Sequence, residues 1–166
     1  LTNKLFPFPE HKITEILGSE DNMLTCKEAV TTLQNMFQEF YDKSFGKLIP
    51  VRAEVVVGDV EWGVTGMIDQ LFYNEKSKKL EIWDWKTNKA IKDKNKWQQF
   101  KKPLSHLDVC ELNTYSLQLS FYKLIVERNT ELQLGDNYIV WFNENNDTYK
   151  VIKCYDQYAP GAKSPP

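Results

Sequence analysis

The sequence predicts an α+β domain in which an antiparallel β-hairpin is flanked by helices. Three observations carry this. Apolar residues recur at helical spacing after Thr25, strand-like runs follow from Val51 to Lys86 with polar turns between them, and a second helical pattern precedes two short strands near the end. The chain has 166 residues, 42% of them hydrophobic, which suits one compact domain with a sizeable core.

The first segment, Leu1 to about Leu24, is polar and carries Pro7, Pro9 and Gly18, so an irregular arm is expected there, with a short helix around Ile13 to Leu17. "TCKE" at Thr25 has the form of a capping box, with Glu28 reaching back, and starts a helix that runs to about Lys43. Its apolar positions Val30, Leu33, Met36 or Phe37, and Phe40 or Tyr41 form one buried face, and Gly46 and Pro50 end it. "VRAEVVVG", "VEWGVTGMIDQLFY" and "KLEIWDWK" then read as a β-meander.

"TNKAIKDKNKWQQFKKP" carries Lys89, Lys92, Lys94, Lys96, Lys101 and Lys102 against Asp93 alone, and reads as a loop or a frayed helix. A strong helix is expected over about Leu112 to Glu127. "NYIVWFN" and "TYKVIKCY" follow as strands joined by an Asn-rich turn. The tail from residue 157 has the composition of a flexible segment.

Bulk properties exclude several classes. No run of 18 apolar residues exists and the start lacks the basic-then-apolar order of a signal peptide, so a soluble, cytoplasmic protein without a membrane partner is expected. Cys26, Cys110 and Cys154 are far apart with no CxxC pair, which favours reduced, mostly buried thiols. A net charge of -2 offers no global attraction to polyanions, so nucleic-acid contact needs a local basic patch. Leu1 in place of an initiator Met points to a fragment or processed chain.

The chemistry concentrates in "KLEIWDWK". Strand alternation puts Leu80, Ile82, Asp84 and Lys86 on one face and Glu81, Trp83 and Trp85 on the other. With a turn centred on Lys76 and Ser77, Tyr73 faces Leu80, Leu71 faces Ile82, Asp69 faces Asp84 and Met67 faces Lys86. Two carboxylates then meet at roughly 5 Å between Cβ atoms, where like charges destabilise a sheet.

A hard divalent cation removes that repulsion, and Mg²⁺ suits two or three carboxylates better than zinc does. A solvated Asp–Lys pair compensates the charge without a metal, and a register slip of one residue separates the carboxylates. Glu54 adds an acid to an apolar strand, as a surface strand also can. In the second helix Tyr115, Leu119, Tyr122, Ile125 and Val126 share a face with Gln118, whose amide, like the Tyr122 phenol, needs partners in a core network or at a site.

These pieces together resemble the PD-(D/E)XK nuclease superfamily, and within it the RecB-like and lambda-exonuclease-like branch. "GMID" (Gly66 to Asp69) is similar to the G-x-x-D motif, "DWK" (Asp84 to Lys86) to D/E-x-K, and "QLSFY" (Gln118 to Tyr122) to Q-x-x-x-Y. Each is weak alone and the set is specific. The resemblance spans roughly Thr25 to Glu127 and implies a restriction-endonuclease-like core with a central mixed sheet, over a domain of residues 25–156.

It also implies the roles. Asp69 and Asp84, helped by Glu54 and the Trp85 carbonyl, would hold one or two Mg²⁺ or Mn²⁺ ions, with Lys86, Gln118 and Tyr122 completing the catalytic set. Lys89, Lys92, Lys94, Lys96, Trp97, Lys101 and Lys102 would contact nucleic acid, unless they form a solvated loop. The implied activity is metal-dependent hydrolysis of DNA, by an exonuclease or a nuclease module of a repair, recombination or phage replication protein, partnered by a larger polypeptide, helicase or recombinase.

The resemblance departs in two places. RecB-like members often carry a His upstream, where this chain has only His11, and some use a cysteine quartet, so no iron–sulfur cluster is expected. A nuclease-like module that binds nucleic acid or protein with little or no chemistry is the alternative, and an α+β interaction domain with chance motif matches is a third.

Overall fold

The structure, a computed structural model, describes residues 20–156, with side chains from residue 25 onward. Helix α1 (Glu20–Ser44) leads into strands β1 (Leu48–Asp59), β2 (Val64–Asn74) and β3 (Lys79–Lys86). A long loop reaches α2 (Glu111–Asn129), and β4 (Leu134–Trp141) and β5 (Lys150–Lys153) close the chain. The five strands form one mixed sheet in sequential order, antiparallel throughout except for the parallel β3–β4 pair. A parallel neighbour needs a crossover, and the loop with α2 provides it.

The sheet separates two cores, as a pleat that alternates its side chains between two covering helices requires. On one face Val57, Ile68, Ile82 and Ile139 pack against Leu112, Leu119 and Ile125 of α2. On the other, Phe72, Trp83, Val140 and Phe142 pack against Met36 and Phe40 of α1. Strand β3 obeys the expected alternation: Ile82 lies with α2, and Trp83 and Trp85 lie with α1. The aromatic side is dense, with Phe40 in edge contact with Phe72 and Trp85, and Trp83 stacked on Tyr138 at 4.5 Å between centroids.

The hairpin turn lies where the polar run placed it. Tyr73 pairs with Leu80 and Leu71 with Ile82. The Asn74 side chain accepts from the N–H groups of Lys76 (2.9 Å) and Ser77 (3.1 Å), an Asx-type turn.

Three expectations need correction. Helix α1 begins at Glu20, so Thr25 is an interior position whose N–H belongs to the helical ladder, and the boundary between arm and domain falls inside a helix. Pro50 belongs to β1, an edge strand that tolerates its missing N–H, beside a register shift between Pro50 and Arg52. Met67 does not sit under Lys86: it pairs with Val56 and is 48% exposed, while Ile68 enters the α2-side core. The expected helix at Ile13 to Leu17, His11 and the tail lie outside the described residues.

The placement of Met67 has a local cause. Ile68 and Leu71 both pack on the α2 side although three residues apart, and Phe72 lies on the other side, so β2 breaks its period at Asp69 and Gln70. Opposite, the β1–β2 register skips the Glu54 and Asp69 level, and Glu54 takes φ 51°, a left-handed conformation uncommon for a side chain that is not glycine. Irregularities of this kind re-aim a side chain, and they gather near functional sites. Among the described residues no helix is long and apolar enough to cross a membrane.

Candidate active site

Asp69, Asp84 and Lys86 come together on the α2 side of the β2–β3 ribbon, just beyond its last paired residues, Gln70 and Trp83. The Asp69 carboxylate stands in for the interrupted ladder by accepting from the Trp85 backbone N–H at 3.0 Å. It thereby fixes the backbone between Asp84 and Lys86, two side chains that β-pleating already places on one face. The Lys86 ammonium is in close ion-pair contact with Oδ2 of Asp84.

Asp84 is 4% exposed, so its carboxylate is held out of water with Lys86 against Oδ2. Burial raises its pKa above the ordinary carboxylate range, Lys86 opposes this, and neighbouring Asp69 raises it further. The result is a buried carboxylate beside a second carboxylate, balanced by one amine.

Helix α2 encloses the group. Lys86 Nζ lies 4.8 Å from the Tyr115 ring centroid, a cation–π contact, and the Tyr115 hydroxyl donates to Asn88 Oδ1 at 3.0 Å. Asn88 also accepts on its backbone carbonyl from Trp141 Nε1 (2.7 Å) and the buried Asn143 amide (2.8 Å), which anchors the loop just after Lys86. Gln118 Nε2 donates to the Tyr122 hydroxyl at 3.0 Å. Gln118 is exposed, so the expected core-facing amide lies at the helix edge instead.

Gly66 explains how Tyr122 approaches β2. A Cβ on Gly66 would lie 2.7 Å from Cζ and 2.9 Å from the hydroxyl oxygen of Tyr122, closer than packed atoms allow. Glycine here is a requirement of ring-to-strand contact. Two of the sequence motifs therefore meet physically, one as the ring and the other as the gap that admits it.

Glu54 does not join. It is exposed, and among the described residues no three Asp, Glu, His or Cys side chains converge as a metal-holding group. The expected three-acid cluster is thus an acidic pair, because the left-handed backbone at Glu54 interrupts the alternation that the expectation assumed. Two carboxylates still fit Mg²⁺ or Mn²⁺, since such an ion keeps several waters and takes only one or two protein carboxylates. The crowding of the two carboxylates and the raised pKa of Asp84 are what a bound cation would relieve.

Residues that sequence reasoning missed as site components are Asn88, Cys154 and, beyond its place on the apolar stripe, Tyr115. Cys154 is buried beside Asp84 and Lys86, and burial pushes its thiol up to about 12, which leaves it an unreactive wall. Cys110 is also buried, Cys26 is partly exposed, and all three thiols are free. Asn88, two residues after Lys86, carried no periodic signal.

The expected basic residues Lys89, Lys92, Lys94, Lys96, Lys101 and Lys102 are all exposed, as is Trp97. They lie on the loop between β3 and α2, whose inner wall includes Tyr115.

No curated protein matches the chain. The family model for the PD-(D/E)XK nuclease superfamily matches residues 8–157, a span that contains every described strand and both described helices. With a mixed sheet carrying an acidic pair and a lysine at the end of its hairpin, the chain belongs to the PD-(D/E)XK nuclease superfamily.

Proposed function

We propose that the protein is a Mg²⁺- or Mn²⁺-dependent deoxyribonuclease of the RecB-like and lambda-exonuclease-like branch, acting as an exonuclease or as the nuclease module of a repair, recombination or phage replication protein. The observation that carries this reading is the buried Asp84 carboxylate, held beside the Asp69 carboxylate with Lys86 in ion-pair contact. Two carboxylates crowded at a buried point call for more positive charge than one lysine supplies, and a divalent cation would add it.

Asp69, Asp84 and the Trp85 carbonyl would hold the ion. When bound, it supplies Lewis-acid chemistry, lowering the pKa of a water and neutralising charge on the phosphate. Lys86, an ammonium in contact with Asp84, would orient the attacking water or stabilise the charge that develops on the phosphate. Gln118 and Tyr122, joined at 3.0 Å, would present a donor toward a non-bridging phosphate oxygen. The exposed loop lysines would neutralise neighbouring phosphates, giving the local basic patch that the net charge lacks. A helicase or recombinase would be a natural partner for such a module.

The test is incubation with linear and circular DNA in Mg²⁺, Mn²⁺ or EDTA. Cleavage is expected with either ion and none in EDTA, with linear DNA preferred if ends are required. Asp84→Asn should abolish cleavage, and full activity in that variant would be fatal to the assignment. Lys86→Ala should retain metal binding by calorimetry while losing turnover. Loss of metal affinity in that variant would make Lys86 structural.

A further inference from the structure

We propose that the cleft between the lysine-rich loop and the first turns of α2 holds an unpaired nucleotide of the substrate, so that the protein acts on single-stranded or frayed nucleic acid in preference to a closed duplex. This rests on the nuclease reading and names the form of its substrate.

Trp97 is 95% exposed. An exposed indole at the tip of a loose loop carries little meaning, but this loop is held on both limbs. Asn95 donates from its backbone to Asp108 Oδ2 (3.0 Å) and from its side chain to the Val109 carbonyl (2.8 Å), and its own Oδ1 accepts from the Trp97 N–H (3.1 Å). On the following residues Val109 N–H donates to the Gln98 carbonyl (2.8 Å) and Phe100 N–H to the Leu107 carbonyl (3.0 Å). The Leu112 N–H, at the start of α2, donates to the Lys92 carbonyl at 3.0 Å. The backbone that carries Trp97 is therefore built, while its large apolar side chain is left in water.

The space beneath has a volume of about 490 Å³, within the roughly 300–1,000 Å³ of pockets that take small ligands. Lys92, Lys94 and Lys96 line it with Trp97, and Tyr115 forms a wall shared with the active site, since Lys86 Nζ lies 4.8 Å from the same ring. Glu111, also in the wall, is tied to the loop by accepting from the Lys92 N–H at 3.2 Å. Cations for phosphate next to an exposed aromatic face for a base are the two components of single-strand binding. Within a duplex each base is already stacked on both faces, so Trp97 has a base to cover only where the strand is open.

The test is fluorescence anisotropy of labelled oligo-dT, oligo-rU, a blunt duplex and the same duplex with a single-stranded overhang, all in EDTA. Wild type should bind a single strand and the overhang at least about tenfold tighter than the blunt duplex, and the two oligonucleotides separate DNA from RNA as the source of the strand. Trp97→Ala should weaken single-strand binding roughly tenfold, the scale of one base–aromatic stack, and leave blunt-duplex binding unchanged. Trp97→Phe should keep most of the affinity. Lys101→Ala with Lys102→Ala, outside the cleft, should weaken every substrate alike.

Equal affinity for blunt duplex and single strand, or a Trp97→Ala variant within twofold of wild type on single strands, overturns the proposal. Because the binding is read without metal, the two readings fail separately. A protein that cleaves nothing yet shows Trp97-dependent single-strand preference keeps the cleft and loses the nuclease. One that cleaves but binds every substrate independently of Trp97 keeps the nuclease and loses the cleft.

Discussion

Replacing Gly66 with Ala tests whether two sequence motifs form one physical contact. The added methyl would lie 2.7 Å from Cζ of Tyr122 and nearer still to Cε1. Carbon atoms pack at about 3.5–4.0 Å, so the ring must retreat by about 1 Å or swing out of its rotamer. Overpacking of this kind costs about 1–3 kcal/mol. At about 2–4 °C per kcal/mol for a chain of this size, Tm should fall by roughly 2–12 °C.

Differential scanning calorimetry measures that fall, and the cleavage assay should lose activity with it, because Tyr122 and the Gln118 amide it holds move together. The decisive measurement is a double-mutant cycle. Tyr122→Ala removes the ring that the methyl would strike, so adding Gly66→Ala to it should cost little, leaving a coupling of about 1 kcal/mol or more. Additive losses, or a Gly66→Ala variant that melts and cleaves like wild type, would show that the contact does not exist.

The acidic pair predicts an unusual pH dependence without metal. The folded-state pKa of Asp84 is raised, so the native state binds more protons than the unfolded chain between the ordinary value of 3.8 and the raised one. Its contribution to stability is complete below pH 3.8 and is lost as pH rises through the folded-state pKa. Urea melts in EDTA should show this decline in wild type and a flatter profile in Asp84→Asn. Mg²⁺ should restore wild-type stability at neutral pH, by about 2.7 kcal/mol at 100 times Kd, and leave Asp84→Asn unmoved. Tyr115→Leu removes the ring against Lys86, a contact worth about 0.5–2 kcal/mol, so kcat should fall by roughly 2- to 30-fold. Tyr115→Phe, which keeps the ring, should recover most of that loss in the same steady-state assay with metal affinity unchanged. Equal loss in both variants would assign the effect to the Asn88 hydrogen bond instead.

Much of this protein was legible in its sequence because its strongest signals are local. Alternation in "KLEIWDWK" assigned Ile82 to one face and Trp83 to the other, and the polar run after Tyr73 set the hairpin register, since both follow from a two-residue period and a turn that has to close. Asp84 and Lys86 on one side of the sheet followed from the same period.

Where the structure departed, the cause lay in contacts that no local pattern encodes. The period breaks at Asp69 because its carboxylate replaces a ladder bond to Trp85, and Glu54 opposite turns left-handed and leaves the cluster. The partners of Lys86 come from α2, in Tyr115, and the gap at Gly66 acquires meaning only when Tyr122 fills it. Residue order determined which side chains a strand or helix presents on each face. Only the tertiary structure decided which faces meet, because a crossover that carries α2 back over β3 joins residues through packing and hydrogen bonds, and those depend on distance in space alone.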